Sequence, residues 1–323
     1  MHSFEELHKI INDYLDNYKI NKKPANLYEP INYVLSIGGK RIRPILCLMA
    51  CEMFADSYKL AINAALGLEI FHNFTLLHDD IMDNAEIRRG KPVVHKKWNK
   101  NIALLSGDAM TIIAYQNIAK IESGLEKCLE VFSDTALKIC EGQQIDMDFE
   151  TDDKVNIAEY LEMINLKTAV LIACCLKIGA IAGGANNEIA DKMYDVGINL
   201  GMAFQLQDDY LDVFGKPEVF GKNIGGDIVA NKKTYLLVSA MQSAEGKQKD
   251  ELNDWIKNQN SDNETKIKAV TEIYKNLNID NLCKSEITKY LNAALESLNE
   301  IKIEEEKKAL LNEFILMLEN RNY

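Results

Sequence analysis

Proline is scarce in this chain, and its scarcity is the first guide to the fold. The five prolines lie at positions 24, 30, 44, 92 and 217, so the segment from 93 to 216 contains none. Alternating strand patterns joined by Asn-Gly or Asp-Gly turns are also missing. A long segment that lacks both the main helix breaker and the usual hairpin signals predicts an all-α protein.

Paired cysteine motifs are absent as well. The chain has seven cysteines, an odd number, and no Cys-x-x-Cys pair. Most lie in apolar surroundings, as Cys174 and Cys175 do. This usage is typical of reduced, buried thiols and predicts a cytoplasmic protein.

A surplus of positive charge and a long apolar run are two further features that the chain lacks. Its formal net charge of −12 argues against general affinity for nucleic acids or anionic membranes. Charged residues from Glu5 to Asp16 interrupt the N-terminal region, so we expect no signal peptide. No run approaches the roughly 18 apolar residues that a membrane span needs, and we therefore expect no membrane span.

Apolar residues recur at helical spacing along most of the chain. No linker or change of composition divides it, and the region after about Glu245 keeps this spacing. We therefore predict a single all-α domain over residues 1–323. The most apolar predicted helical segments are 42–54, 60–82, 102–121, 125–147, 157–181 and 189–214.

One acidic pentad occurs twice inside these segments. Its copies are 79–83 (Asp-Asp-Ile-Met-Asp) and 208–212 (Asp-Asp-Tyr-Leu-Asp), 129 positions apart. In a helix, the first and fifth residues of each copy present two carboxylates on one face. A single copy usually faces solvent, but like charges repeated in apolar surroundings are costly without a cation. Mg²⁺ keeps waters and phosphate oxygens as co-ligands, so two such copies predict a shared magnesium site.

Three basic clusters accompany the pentads. Residues 38–44 (Gly-Gly-Lys-Arg-Ile-Arg-Pro) place glycines and cations at a helix N-terminus, which favours anions, although a solvated turn is the alternative for this cluster alone. Arg88 and Arg89 follow the first pentad, and the loop 216–233, with Lys222, Lys232 and Lys233, follows the second. Carboxylates for metal beside this many cations predict a substrate with concentrated negative charge, and diphosphate is the natural candidate.

Polar residues inside apolar helices are further candidates, each with a structural alternative. His72 lies two helical turns before Asp79, so it is either a donor to a second anion or a core histidine. Lys167 interrupts an apolar helix and must reach solvent or meet a counter-charge. Gln143 and Asp146 lie three residues apart on another helix, and their role is either structural or catalytic.

In this order the motifs resemble those of the trans-type isoprenyl diphosphate synthases, which make farnesyl, geranylgeranyl and longer polyprenyl diphosphates. The resemblance covers about residues 30 to 240 and includes the basic motif at 38–44, both pentads and the arginine pair. It implies the isoprenoid synthase fold, a bundle of long, mostly antiparallel helices around a central cavity. The other matching residues are Gln143, Asp146, Lys167, Thr168, Phe204, Gln205, Gly221, Lys222, Asp227 and Lys232.

The resemblance also implies roles for individual residues. Three Mg²⁺ ions would hold the allylic diphosphate through Asp79, Asp83 and Asp208, with Asp80, Asp209 and Asp212 assisting directly or through water. Positive charge around the same diphosphate would come from Arg88, Lys167, Lys222 and Lys232, with Thr168 and Gln205 also at the substrate. The residues implied for isopentenyl diphosphate are Lys40, Arg43, His72 and Arg89.

The reaction implied is a magnesium-dependent, head-to-tail condensation of isopentenyl diphosphate with dimethylallyl, geranyl or farnesyl diphosphate. Metal ions and cations stabilise the leaving diphosphate, the C–O bond breaks, the isopentenyl double bond attacks the allylic cation, and a proton is lost. The enzyme would then be a cytoplasmic prenyltransferase, and by resemblance a homodimer.

Product length would depend on the residues that line the tail pocket. The resemblance places Thr75 and Phe74, four and five positions before the first pentad, in that pocket, and an aromatic residue at the fifth place favours short products. Ideal helix geometry points Phe74 roughly 140° away from Asp79 and puts Phe71 roughly 12 Å below it, so Phe71 is an alternative floor. We therefore predict C15 to C20 products.

Four alternatives remain: a longer-chain polyprenyl synthase, a class I terpene cyclase, a non-catalytic subunit of a heteromeric synthase and a structural helical protein. A cyclase needs no site for isopentenyl diphosphate, so Lys40, Arg43 and His72 argue against it. A non-catalytic subunit is expected to lose carboxylates, but all six are present. A structural protein would bury like charges without metal.

Overall fold

The computed structural model of the chain describes residues 1–152, 154–215, 224–258 and 262–319. Within these ranges the secondary structure is helical except for one hairpin, in which strand β1 (Ile87–Arg88) pairs antiparallel with β2 (Lys91–Pro92). The prediction of an all-α fold is confirmed.

The described ranges contain sixteen α-helices, and the six predicted apolar segments all coincide with helices. A 3₁₀ turn (Tyr58–Ala61) precedes α4, and a π-helical turn (Asn165–Ala169) joins α8 to α9. The helices are α1 (Phe4–Asn17), α2 (Ala25–Ser36), α3 (Ile42–Phe54), α4 (Ile62–Met82), α5 (Val94–Lys97), α6 (Lys100–Ile118), α7 (Leu125–Phe149), α8 (Ile157–Ile164), α9 (Val170–Ala182), α10 (Asn187–Phe214), α11 (Gly226–Val229), α12 (Tyr235–Ser243), α13 (Gly246–Lys257), α14 (Asn263–Asn276), α15 (Ile279–Asn299) and α16 (Glu305–Glu319).

Local sequence explains where several of these helices begin and end. Ser3 opens α1 with a capping box to Glu6, and Asn156 opens α8 with the same arrangement to Glu159. Gly184, at a φ of 93°, follows the end of α9, where a residue without a β-carbon is favoured. The two capping boxes therefore set where α1 and α8 begin, and Gly184 marks where α9 has ended.

The chain divides into two compact units. Unit 1 comprises Met1–Ser133, Cys174–Tyr194 and Ile301–Leu311, and unit 2 comprises Asp134–Ala173, Asp195–Glu300 and Asn312–Tyr323. The first pentad and the basic clusters at 38–44 and 88–89 belong to unit 1, whereas the second pentad belongs to unit 2. That all 323 residues act as one catalytic domain stays a prediction.

In unit 1, helices α4 and α6 approach closely because Gly67 has no side chain. A β-carbon there would lie 2.9 Å from the Ala114 carbonyl oxygen. Helix α3 is almost wholly buried, and its two cysteines are free thiols, like the other five of the chain. Burial raises the pKa of Cys51 and Cys128 to about 12, so these thiols are protonated and unreactive at neutral pH.

In unit 2, helix α10 packs tightly on the start of α9. A β-carbon on Gly201 would lie 2.5 Å from Ala169 Cα, and one on Gly142 of α7 would lie 2.4 Å from the backbone nitrogen of Lys167. These glycines let three helices meet at the π-helical turn.

Two stretches, Tyr58–Met82 and Ile157–Ala182, are long and apolar enough to cross a membrane by length and composition. Their apolar windows are 67% and 72% buried inside the structure, as those of core helices in soluble proteins are. The expectation that no run approaches this length was therefore wrong. The absence of a membrane span stays a prediction.

Candidate active site

The first pentad closes helix α4. Asp79 and Asp80 lie in its last turn, and Asp83 ends it, its amide N–H donating to the Asp79 carbonyl over 2.8 Å. Asp79 is half-buried and Asp83 is exposed, but the side chain of Asp80 is almost completely buried. The pentad therefore has two accessible carboxylates one turn apart and a third that is turned inward.

The inward carboxylate, Asp80, is paired with Arg88. Arg88 Nε donates to Asp80 Oδ1 over 2.8 Å. Burial raises the pKa of Asp80 above its usual value, and the Arg88 charge opposes part of that rise. The hairpin β1–β2 holds Arg88 here, so two predicted catalytic residues meet, with one positioning the other.

Two further features beside Asp80 were not anticipated. A cavity of about 20 Å³, enough for one water, is lined by Asp80, Arg88 and Arg89 among apolar side chains. His95, on α5, is buried, and within the described residues neither of its ring nitrogens has a hydrogen-bond partner. Burial and the Lys96 charge lower the pKa of His95, so its ring is neutral at physiological pH. A lone histidine in a short helix, outside any recognisable motif, carries no sequence signal that would identify it.

The basic loop before α3 is folded around a buried ion pair. Arg41 Nη1 lies 2.6 Å from Glu69 Oε1, and both side chains are 2% exposed. Arg41 also donates to the Leu35 carbonyl over 2.7 Å, and Asn73 donates to Glu69 over 2.9 Å. Arg41 is therefore a structural anchor. It holds the loop that carries Lys40, an exposed residue, and that leads into the first turn of α3, where Arg43 lies.

Arg43 and His72, both predicted to bind substrate, contact each other. Arg43 Nη1 lies 3.1 Å from His72 Nε2. A guanidinium can only donate, so Nε2 accepts and the ring proton is on Nδ1. Burial, followed by the charges of Arg43 and Arg89, lowers the pKa of His72 well below its usual value. His72 is thus neutral, and its single N–H is the donor that the prediction requires.

Arg89 lies across the two glycines of the same loop. Its Nη1 donates to the Gly38 carbonyl, and a β-carbon on Gly39 would lie 2.7 Å from Arg89 Cζ. Burial lowers the pKa of Arg89, and the charges of Arg41, Arg88 and Arg43 lower it further, while Glu69 opposes them. The charges of four guanidiniums, those of Arg41, Arg43, Arg88 and Arg89, reach the ring of His72, and this concentration of positive charge in an acidic protein suits an anion.

The three predicted chain-length residues lie on α4 below the pentad. Phe71 is almost fully buried, with its ring centroid 5.1 Å from that of Phe132, whereas Phe74 is half-buried against His78 at 4.7 Å. Thr75 donates its hydroxyl proton to the His72 carbonyl over 2.8 Å. Phe71 and Phe74 also contact each other, at 5.3 Å, so they act as one aromatic wall.

The second pentad lies near the end of α10 in unit 2, and its middle carboxylate is again buried. Both oxygens of Asp209 accept hydrogen bonds: Oδ2 from the Tyr160 hydroxyl and from the Tyr235 amide over 3.2 Å, and Oδ1 from Gln205 Nε2 over 3.0 Å. Burial raises the pKa of Asp209 to about 7, against the opposing effect of the Tyr160 hydrogen bond. Both oxygens of Asp209 thus already accept hydrogen bonds from the protein, and its role as a metal ligand stays a prediction.

The outer carboxylates of this pentad are half-buried. Asp212 Oδ2 accepts the Asp227 amide over 3.0 Å and so caps helix α11. At the other end of α11, the buried Lys266 donates to the Val229 carbonyl over 3.3 Å and to Asn231 Oδ1 over 2.7 Å. Both contacts position the exposed Lys232, which follows directly. The predicted Lys222 lies outside the described residues.

Lys167 and Thr168 lie in the π-helical turn, a feature that often marks functional sites. Lys167 Nζ meets Asp146 Oδ2 at 2.5 Å, which settles the alternatives of solvent or counter-charge in favour of the latter. Thr168 donates to Gln205 over 3.0 Å, and Gln205 in turn binds Asp209. Tyr160, one turn before π-helical Asn165, completes this network and was missed because an aromatic residue in an apolar helix reads as core.

The carboxylates fit magnesium better than a cage-bound metal. Within the described residues, no three His, Cys, Asp or Glu side chains come together as a metal site. Each pentad offers two outer carboxylates, and Mg²⁺ is commonly held by one or two carboxylates with waters and substrate phosphates. The number of ions stays a prediction.

Comparison with known proteins agrees with these features. The polyprenyl synthetase family model matches residues 24–274. A geranylgeranyl diphosphate synthase of Methanosarcina mazei is 43% identical over 223 residues, 68% of this chain and 69% of that protein. A geranylfarnesyl diphosphate synthase of Natronomonas pharaonis is 36% identical over 254 residues, 73% of this chain and 74% of that protein.

Solved structures lead to the same family. A geranylgeranyl pyrophosphate synthase superposes with a TM-score of 0.95 at 44% identity, with both chains fully covered. A polyprenyl synthase from Caulobacter crescentus, complexed with calcium and isoprenyl diphosphate, superposes with a TM-score of 0.87 at 27% identity over 99% of this chain and 98% of that one. The chain therefore belongs to the polyprenyl synthetase family, and it is a short-chain trans-prenyl diphosphate synthase, a prenyltransferase.

Proposed function

We propose that the enzyme condenses isopentenyl diphosphate head-to-tail with an allylic diphosphate in a magnesium-dependent reaction, and that its main product is C20. The observation that supports the reaction best is the arrangement in unit 1. Two accessible carboxylates, Asp79 and Asp83, end the helix that also carries His72, and an excess of guanidinium groups surrounds that histidine. Metal-held and arginine-held diphosphates can therefore be bound beside one another.

The outer carboxylates would hold magnesium, which supplies charge stabilisation for the leaving diphosphate. In unit 1 these are Asp79 and Asp83, and in unit 2 Asp208 and Asp212. For Asp80 and Asp209 the proposed role is structural, because Arg88 donates to a carboxylate oxygen of Asp80 and Tyr160 donates to one of Asp209. Each fixes the turn or helix that presents the outer pair.

Cations of this chain would stabilise the diphosphate that departs. Arg88, oriented by Asp80, Lys167, oriented by Asp146, and Lys232 each have a defined backbone or side-chain anchor. Preorganised charges of this kind lower the barrier because they need not reorient as charge develops. Lys222 joins this set by resemblance alone.

Isopentenyl diphosphate would be held by Lys40, Arg43, His72 and Arg89. The neutral His72 contributes the Nδ1–H, while Arg43 and Arg89 contribute planar forks suited to phosphate oxygens. Substitution of Arg43 by Lys should raise the KM for isopentenyl diphosphate more than the KM for the allylic substrate. An equal rise in both would place Arg43 elsewhere.

Two lines of support for the product length agree on C20. The aromatic wall favours C15 to C20, and the relatives described above are named for C20 and C25 products. We expect Phe74→Ala to lengthen the product, because Phe74 is the less buried of the two aromatic residues. Phe71→Leu is the matched test of the deeper floor, since Phe71→Ala would leave a cavity against Phe132 and destabilise the fold. If chromatography shows no longer product from either, the floor lies elsewhere.

The decisive activity test is incubation with Mg²⁺, radiolabelled isopentenyl diphosphate and each allylic diphosphate in turn. We expect incorporation into a C20 chain and its loss on chelation of the metal. No incorporation with any primer would favour the non-catalytic subunit instead.

We also propose that the enzyme is a cytoplasmic homodimer without a membrane span. On α6, Leu105 and Ile112 lie two turns apart and are 60% and 61% exposed, which is unusual for large apolar side chains and suits a second copy. Sedimentation of the purified chain tests this, and a monomer at micromolar concentration would contradict it.

A further inference from the structure

A groove of about 450 Å³ in unit 2 is lined by none of the residues to which the proposed reaction gives a role. It lies along helices α12 and α13 and includes Lys154 and Val155, which precede α8. Its volume falls within the range of small-molecule sites, roughly 300 to 1,000 Å³. The groove is therefore large enough for a ligand of its own.

The polar lining of the groove is cationic. Four lysines contribute, and the described residues of the lining include no aspartate or glutamate. Three of them, Lys154, Lys249 and Lys257, form no ion pair with any described residue, and the fourth, Lys233, is largely buried. In a chain of net charge −12 this concentration of positive charge selects for an anion.

The floor of the groove is apolar. Val155, Ala244 and Leu252 are buried at its base, and Met241 and Ile256 complete the apolar side. A purely inorganic anion would leave this floor unused. A ligand with a charged head and a hydrocarbon tail would use both parts.

We propose that this groove is a second binding site for a prenyl diphosphate of the enzyme's own product class, with the diphosphate on the lysines and the chain on the apolar floor. The inference rests on the enzyme making such a product. The proposed site shares no residue with either pentad, but it lies beside a segment that contacts the second pentad. Lys233 follows Lys232, and the Tyr235 amide that opens α12 binds Asp209. A ligand in the groove therefore bears on the segment that orders the second pentad.

The chain offers a built-in reporter for this site. Of its two tryptophans, Trp98 belongs to unit 1, and Trp255 lies on α13 next to the lining residue Ile256. In a Trp98→Phe background, Trp255 fluorescence should change saturably as geranylgeranyl diphosphate is added in the presence of EDTA. Inorganic diphosphate should give at least tenfold weaker binding, because it lacks the tail. Equal affinity for the two would reduce the groove to a simple anion site and overturn the proposal.

Matched lysine variants separate this site from the active site. Lys249→Ala/Lys257→Ala should weaken geranylgeranyl diphosphate binding about tenfold or more, equivalent to about 1.4 kcal/mol. Lys247→Ala/Lys268→Ala removes the same charge from exposed positions outside the lining and should leave binding unchanged. The same loss in both pairs, or no Trp255 response in the parent, would refute the site. Synthase activity should be present in the parent and in both pairs, and its absence from the parent would count against the proposed function and not against the groove.

Discussion

The buried pentad carboxylate Asp209 should make the stability of the metal-free enzyme fall as the pH rises from about 4 to 7. Its folded-state pKa of about 7 lies above the ordinary aspartate value of 3.8 because burial disfavours the charged form. Below pH 4 the carboxyl is protonated in both states. Between pH 4 and pH 7 the folded protein keeps a proton that the unfolded chain has lost. The free energy of unfolding therefore falls over this range and levels off above the folded-state pKa.

The size of the effect follows from the difference in pKa. About three pKa units correspond to about 4 kcal/mol at pH 8, of which about 3 kcal/mol develops between pH 5 and pH 8. Asp209→Asn cannot ionise, so the stability of the variant should lack this component. Urea unfolding in EDTA at pH 5 and pH 8 gives the change in the free energy of unfolding with pH. Subtracting the change in the variant from the change in the parent isolates the contribution of Asp209. Parallel pH trends, within about 1 kcal/mol, would refute the buried, proton-linked state of Asp209.

Tyr160 gives an independent check on the same carboxylate. Tyr160→Phe removes the hydroxyl that donates to Asp209 and leaves the packing of the ring intact. A hydrogen bond to a charged group is worth roughly 1.5 to 3 kcal/mol, so the loss should be larger at pH 8 than at pH 5. A loss that does not depend on pH would show that the hydroxyl does not support the ionised form.

Three other predictions concern contacts outside this network. Gly107→Ala would place a β-carbon 2.2 Å from His78 Nε2, so we expect thermal unfolding to show a loss of about 1 to 3 kcal/mol, smaller when His78→Ala is also present. Lys266→Met should cost about 1 to 3 kcal/mol, because it leaves two oxygens at the end of α11 without their donor; an unchanged urea midpoint would argue against that contact. Glu69→Gln should cost about 3 kcal/mol by leaving the buried Arg41 charge uncompensated, whereas a surface pair would cost under 1 kcal/mol.

Much of the fold could be predicted from the sequence because its signals are local. Helical spacing located the apolar segments, and α3 has the predicted bounds, 42–54. The π-helical turn could not be predicted, since it depends on close packing at Gly142 and Gly201 and not on the residues of the turn itself. The two membrane-length stretches were misjudged for a different reason. Scattered polar residues interrupt each apolar run, but the mean hydropathy of the stretch stays high enough for a membrane span.

The candidate site shows the same division. Repetition and spacing identified the six aspartates and the clusters around Arg43 and Arg89. Sequence could not reveal which aspartates are accessible, because this depends on partners that lie far along the chain. Tyr160, for example, lies 49 positions from Asp209. Arg41 looked like one more cation of an anion site, and only its contact with Glu69 shows that it is structural.

The two pentads share a pattern but differ in electrostatics. In each, the second aspartate is buried and bound by the protein, which leaves the first and fifth toward the accessible side. The partner of Asp80 is a cation, Arg88, which opposes the effect of burial on the pKa of that carboxyl. The donors to Asp209 are neutral, and its pKa reaches about 7. A mildly acidic medium should therefore protonate the inner carboxyl of the second pentad before that of the first, so two similar sequence motifs respond differently to the same change in pH.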